Sequence, residues 1–438
     1  MTPQLLIYTP EITPRIKYSF TLFFSSLLTV SYRITANKEE YDSFKGPKLN
    51  YSAALAGKDE IVVRPAGLLT QLSIISQNFT VSEWSALKIF YHTTGGDLPF
   101  DIFSASFYLV SRYEEYLPYQ SDRHSRFNAE NSIAYQNNFL NIPLVNLWAA
   151  ELKKLMLVKY PQLKFKESNY SFIPTVDIDV AYAHLGRTIG VTAGSYLKLL
   201  CGLQIGKIIE KTSVLLGWRN DPFDTYSYQE TIFRKYQIAP VYFFLASRSR
   251  SDYDRNIKTD GKKFAELVKN ISSFAQIGIH PSYYSAGNPE IIGDEVENVE
   301  RYLTYKITKS RQHFLKVMLP ETYRCLFCLN ITDDYSLGYA GAPGFRASIC
   351  TPFPFYDLKA EEPLPVMIHS PVIMDGTLNE YQHLSTGESE AIIEEFAALV
   401  KRCGGEFITI WHNHSLGETD GWKGWKGVFE KLIRTGVN

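Results

Sequence analysis

Four short stretches carry the side chains able to do chemistry: Asp177-Ile-Asp179, Gly278-Ile-His280, Ser310-Arg-Gln-His313 and Ile410-Trp-His-Asn-His414. In an extended strand, residues i and i+2 face the same side, so Asp177 and Asp179 point into one site. Two carboxylates that close are costly unless a cation or an arginine neutralises them. One of the pair can ligate a metal while the other stays free as a base. An imidazole at a strand end suits a borderline-soft metal ion, which makes His280 a candidate ligand. Arg311 can hold a carboxylate through a two-pronged hydrogen bond, and His313, two residues on, is a candidate ligand or substrate donor. His412 ends an apolar run and is placed for general-acid work near neutral pH. His414 ranks behind it, and His369 behind both. Each pattern has an ordinary reading when taken singly: a turn after a strand for the paired Asp, a structural or surface role for a lone His, and a polar loop with one ion pair around Arg311.

The elements expected to carry these residues raise their weight. A β-like run over 170–176 ends at Asp177, a continuous apolar strand covers 241–245, a short strand over 276–279 ends at His280, and a last strand over 407–411 ends at His412. Helices are expected between them over 262–274, 295–310, 321–329 and 389–402, the last closed by Gly404-Gly405. Such alternation argues for a parallel sheet or barrel wrapped by helices, where ligands sit at the carboxyl ends of strands. Asp177, His280 and His412 all fall at such ends.

The first part of the chain offers less. The sequence predicts a strand over 5–9, a helix opening at Thr13-Pro14, a buried helix within 19–30, a strand over 60–64, a helix from about Leu68 and a largely buried helix over 99–116. Arg112, Glu114 and Glu115 read as a structural ion-pair cluster. A shift to Lys, Glu, Ser and Asn over 161–169 places a boundary there, giving domains 1–165 and 166–438. The Gly-rich stretch 338–345 lacks the lysine and the strand–loop–helix setting of a phosphate cradle, so it is expected to line a groove, with Arg346 as an anion contact.

A length of 438 residues suits two or three domains of ordinary size. The 45 Lys+Arg and 46 Asp+Glu nearly cancel, which removes the electrostatic case for nucleic acid or an anionic membrane as the main partner. Five scattered cysteines do not form a disulfide framework, and Cys325-Leu-Phe-Cys328 without a second pair reads as helix packing rather than a zinc site. The start Met1-Thr-Pro-Gln has no basic lead before an apolar run, and 19–30 is too short and polar for a bilayer, which needs about 20 apolar residues. A cytoplasmic location without a membrane span is the expectation.

The order Thr-x-Asp-x-Asp, strand-end His, Arg loop and strand-end His resembles the polysaccharide deacetylase family of metal-dependent carbohydrate esterases, over roughly residues 170–438. The whole chain also looks like a group of bacterial deacetylase-like proteins with an additional N-terminal domain of unknown function. The resemblance implies a distorted (β/α) barrel preceded by a smaller α/β domain. It implies Asp177 as catalytic base, Asp179 as metal ligand, Arg311 as the residue that positions the base, and His412 as the acid. The family's second motif supplies His-x-x-x-His as ligands; His280 matches its first position, while Tyr284 stands at its second. The Asp-Ile-Asp spacing also departs from the family by one residue. His313 is the expected replacement for the lost ligand. The implied protein is a hydrolase that removes an N-acetyl or similar acyl group from an amino sugar or glycan precursor, with a divalent metal, Zn²⁺ by default. The competing readings are a catalytically degenerate glycan-binding protein with the same fold, and a metal-dependent hydrolase of another C–N bond.

Overall fold

The computed structural model describes residues 4–54, 57, 59–419 and 421–438. The opening residues 1–3, on which the expectation of no leader partly turns, lie outside this set. The chain forms two compact units: Met1–Ser171 with Gly344–Ser370 and Leu399–Glu406, and Phe172–Pro343 with Pro371–Ala398 and Phe407–Asn438.

The first unit holds a four-stranded sheet in the order Tyr32–Thr35, Leu5–Tyr8, Lys48–Asn50, Ile61–Val62, with every pairing parallel. The helix Pro14–Phe20 begins where Thr13 accepts a hydrogen bond from the Ile16 amide, and it continues as a π-helix over Thr21–Leu27. Phe20, Tyr51 and Phe103 meet edge to face in the core. The helix expected from Leu68 is only a 3₁₀ turn, Leu68–Thr70, because the chain returns to extended geometry at Gln71. The helix expected over 99–116 is Ile102–Val110, capped by Asp101; it stops where Arg112 adopts φ 55°.

That turn builds a buried network. Arg112 reaches Glu114 at 2.7 Å and Glu115 at 2.8 Å, and Arg346 reaches Glu115 at 2.6 Å. Arg346 is therefore a structural partner buried against a carboxylate, not the anion contact the sequence suggests. The same contact explains why this unit is discontinuous in sequence, whereas the sequence reading assigns everything after residue 165 to the second domain. Val145 donates to the Ser348 carbonyl, and the Cys350 amide donates to Asn146 Oδ1 at 2.9 Å. Pairings of this sequence separation leave no trace in composition.

The second unit contains a sheet ordered Asp333–Asp334, Lys309–Ser310, Gln276–His280, Val241–Leu245, Ser171–Ile178, Glu406–His412, Ile373–Met374. Its established pairings are parallel, with Asp177 opposite Phe243, Leu245 opposite His280 and Ile279 opposite Ser310. The central strand Val241–Leu245 is apolar and buried throughout, as expected of a strand covered on both faces. The α/β class holds. The order is linear, and among the described residues no pairing closes a barrel; strands of two residues offer too few backbone groups to do so. The helix expected over 295–310 runs instead over Pro289–Glu300, started by the Asn288 cap and Pro289, and its expected end is the strand Lys309–Ser310.

Candidate active site

Register places the chemistry. Asp177 sits in the last turn of pleat of Ser171–Ile178, and Asp179 follows it; His280 and His412 are the last residues of their strands; Arg311 follows Lys309–Ser310. The carboxyl ends of these strands therefore bring all six candidate residues to one place.

Asp179, His280 and His313 each offer a ligand atom, and these atoms lie within 4.8 Å of one another. Asp179 Oδ1 is 3.1 Å from His280 Nε2, and Asp179 Oδ2 is 3.6 Å from His313 Nε2. The Asp179 Oδ1 atom is buried and has no hydrogen-bond partner. A buried carboxylate oxygen with no donor, facing two imidazole nitrogens, fits a divalent cation. The outer nitrogens are tied down as such a site needs. His280 Nδ1 contacts the Arg311 carbonyl, and His313 Nδ1 is 2.9 Å from Asp254 Oδ1. Those bonds leave each Nε2 directed at Asp179. His313 is held by an unusual backbone: Phe314 and Leu315 have φ 60° and 52°, a conformation side chains avoid and one that recurs at functional sites. The expected ligand position Tyr284 is exposed.

Asp177 belongs to a second cluster. Arg311 Nη1 donates to Asp177 Oδ1 at 2.7 Å, while Arg311 Nε donates to the Tyr335 carbonyl at 2.9 Å and the guanidinium lies 4.5 Å from the centre of the Phe243 ring. Fully buried and fixed on several sides, Arg311 holds one carboxylate oxygen and leaves Oδ2, 3.8 Å from His280 Nε2, facing the imidazoles. His412 completes the group. Its Nδ1 is 2.7 Å from the buried Asp375 Oδ1, and its Nε2 is 3.7 Å from Asp179 Oδ2.

Electrostatics follow from this crowding. Burial alone would raise the Asp179 pKa, but the neighbouring His313, His280 and His412 hold it well below the usual carboxylate range. Burial works against charge on His412, yet Asp375 and the two Asp of the pair push it up to about 10. His414, in the 3₁₀ turn His414–Leu416, lies 5.2 Å from the His412 ring centre; burial and the His412 charge push it down to about 4, so it stays neutral.

Among the remaining candidates, His369 pairs with Glu406 in the first unit and Cys328 is exposed while Cys325 is buried. Two site residues escaped the sequence reading. Asp375 had no signal of its own, since the strand Ile373–Met374 that it follows is too short to show a period. Asp254 had none, lying in a polar loop far in sequence from its partner His313.

Residues 5–161 match a family of unknown function (DUF7033). Comparison with curated proteins finds no match. Among solved structures, a Mycobacterium smegmatis protein classed with the polysaccharide deacetylases is similar at 10% identity and TM-score 0.41, covering 62% of this chain and 85% of that one. A Pseudomonas aeruginosa protein of the same class is similar at 8% identity and TM-score 0.39, covering 61% and 84%. A CE4 family pseudoenzyme from Bacillus anthracis is similar at 8% identity and TM-score 0.30, covering 61% and 62%. With TM-scores below 0.5 these likenesses carry no weight beside the geometry of the site.

Proposed function

We propose that the second unit is a metal-dependent hydrolase that removes an N-acetyl or similar acyl group from an amino sugar or glycan precursor. The observation that carries this reading is the convergence of Asp179, His280 and His313 on a buried carboxylate oxygen that has no donor. These three residues would hold a divalent cation, Zn²⁺ by default, which when bound would supply polarisation of the acyl carbonyl and a lowered pKa for water. Asp177 takes the proton from the attacking water through its Oδ2, because Oδ1 is committed to Arg311. Arg311 is a positioning residue that holds this carboxylate in its orientation. His412, fixed through Nδ1 by Asp375, presents Nε2 to protonate the departing amine. A cluster of rings beside His313 supports a carbohydrate substrate: Phe314 lies 4.6 Å from the imidazole, Tyr253 stacks on Tyr283 at 4.0 Å, and Tyr284 is exposed next to them.

Acetate release from a panel of N-acetylated amino sugars, measured with the Zn²⁺-loaded protein, tests the reading. Release that is lost in both Asp177→Asn and His412→Ala, with thermal unfolding unchanged, is the expected result. Sugar binding without release in the wild type would favour the degenerate glycan-binding protein. Release from non-sugar acyl amides alone would favour a hydrolase of another C–N bond.

A further inference from the structure

The segment after the paired Asp forms a helical hairpin, Ile189–Cys201 and Ile205–Leu215, whose polarity is inverted. Apart from the buried Val214, the groups that face inward are polar. The Lys211 ammonium, on a side chain that is nearly fully buried, donates to the Thr192 carbonyl at 3.0 Å and Ser195 Oγ at 2.6 Å, and lies 4.5 Å from the Tyr196 ring centre. The Tyr196 hydroxyl bonds Thr212 at 2.8 Å. The apolar side chains face outward: Ile189 is 90% exposed, Leu203 83% and Trp218 78%, with Leu197, Leu200, Ile205 and Ile209 beside them. In the first helix 189, 193, 197 and 200 recur at helical spacing and form an apolar stripe, and in the second Ile205 and Ile209 do, with Leu216 just past its end. The first helix has no buried residue, and a Cβ placed at Gly190, Gly194 or Gly206 would meet nothing. A hairpin with this arrangement is built for an apolar surround on the outside.

Its charges say which surround. Lys198, Lys207 and Arg219 are exposed around the stripes, and Glu210 is the segment's one acidic residue, 3.5 Å from Arg219. At its base, Thr188 and Val191 line a cavity of about 690 Å³ in which Arg187, Arg248, Arg250, Lys258 and Arg301 outnumber Asp254 and Asp260. Two copies meeting through this face would bring like charges together. An anionic lipid surface accepts both the apolar stripes and the cations. At 13 and 11 residues the helices extend only about 20 and 16 Å, too short to cross a bilayer, so the hairpin lies in its interface. Trp218 at its end is the residue type that settles at headgroup depth. We propose that residues 189–218, a local cationic and apolar patch that the near-zero net charge of the whole chain averages out, dock the protein peripherally on an anionic membrane. This rests on the hairpin alone and stands whether or not the reading of the metal site does.

Flotation of the full chain with vesicles tests it, comparing equal parts phosphatidylglycerol and phosphatidylcholine with pure phosphatidylcholine. The expected result is flotation with the anionic vesicles, weaker by about tenfold or more with the neutral ones and at roughly 0.5 M salt. The exposed-residue variant Leu197→Ser/Leu200→Ser/Leu203→Ser should lose flotation with thermal unfolding unchanged, and Lys198→Glu/Lys207→Glu should lose the preference for anionic lipid. A blue shift of tryptophan emission on vesicles, absent in Trp218→Phe, should accompany binding. No flotation of the wild type, flotation unaffected by the leucine variant, or a non-floating dimer that the leucine variant splits into monomers would overturn the proposal.

Discussion

At the scale of single residues, the site depends on carboxylates that orient imidazoles. Asp254 accepts from His313 Nδ1 and thereby directs Nε2 at Asp179. Asp254→Asn should leave the fold intact and weaken divalent-metal affinity by roughly 10–100-fold, measured by competition with a chromogenic chelator; unchanged affinity would show that His313 is not a ligand. A second residue nearby sets a pH response of stability. Burial raises the Glu295 carboxyl from its ordinary 4.5 to about 7, against the opposing hydrogen bonds from Ser282. The folded chain then holds a proton that the unfolded chain releases between these values. This group's contribution to stability, up to about 3 kcal/mol, is fully present below about pH 4.5 and is lost as the pH rises towards 7. Denaturant unfolding across that window should show a flatter pH dependence in Glu295→Gln than in the wild type. Asp177, His280 and His412 were legible as positions because each closes a β-like run, and Arg311 and His313 by proximity to one another. Asp254 was not, because nothing periodic marks a loop carboxylate whose partner lies 59 residues on.

At the scale of elements, the site depends on parallel strands ending at one level. Gly278 shows how tightly this is set. A Cβ there would lie 2.6 Å from the Phe243 ring and 3.0 Å from the Lys309 carbonyl, on the strands either side of the one that ends at His280. Gly278→Ala should destabilise the protein by about 1–3 kcal/mol in denaturant unfolding and loosen metal binding through His280. An unshifted transition would mean that the strands separate more easily than this packing implies. The long apolar runs were legible at this scale, Val241–Leu245 and Gln276–His280 with their bounds nearly as expected. The two-residue strands Lys309–Ser310, Asp333–Asp334 and Ile373–Met374 were not, since so short a segment carries no period. Reading through one of them is what extended the expected helix over 295–310.

At the scale of the whole molecule, the chain visits its first unit three times. The composition shift over 161–169 says nothing of the returns, which are made by ion pairs and backbone bonds rather than by a change in residue types. Residues 1–165 expressed alone lack Arg346, and so leave the buried Glu115 with one arginine instead of two. They also lose the Ser348 and Cys350 contacts to 145–146. Removing a partner from a buried ion-pair network costs about 3–5 kcal/mol, a large part of a domain's stability. The fragment should therefore unfold without a cooperative transition by circular dichroism. A sharp, reversible melt at the temperature of the full chain would contradict the division into units.

Metal analysis shows whether Asp179, His280 and His313 share one cation. Protein exposed to Zn²⁺ and freed of excess should retain one ion per chain in the wild type and none in Asp179→Ala, with both equally folded. Retention by both, or by neither, would contradict a shared cation.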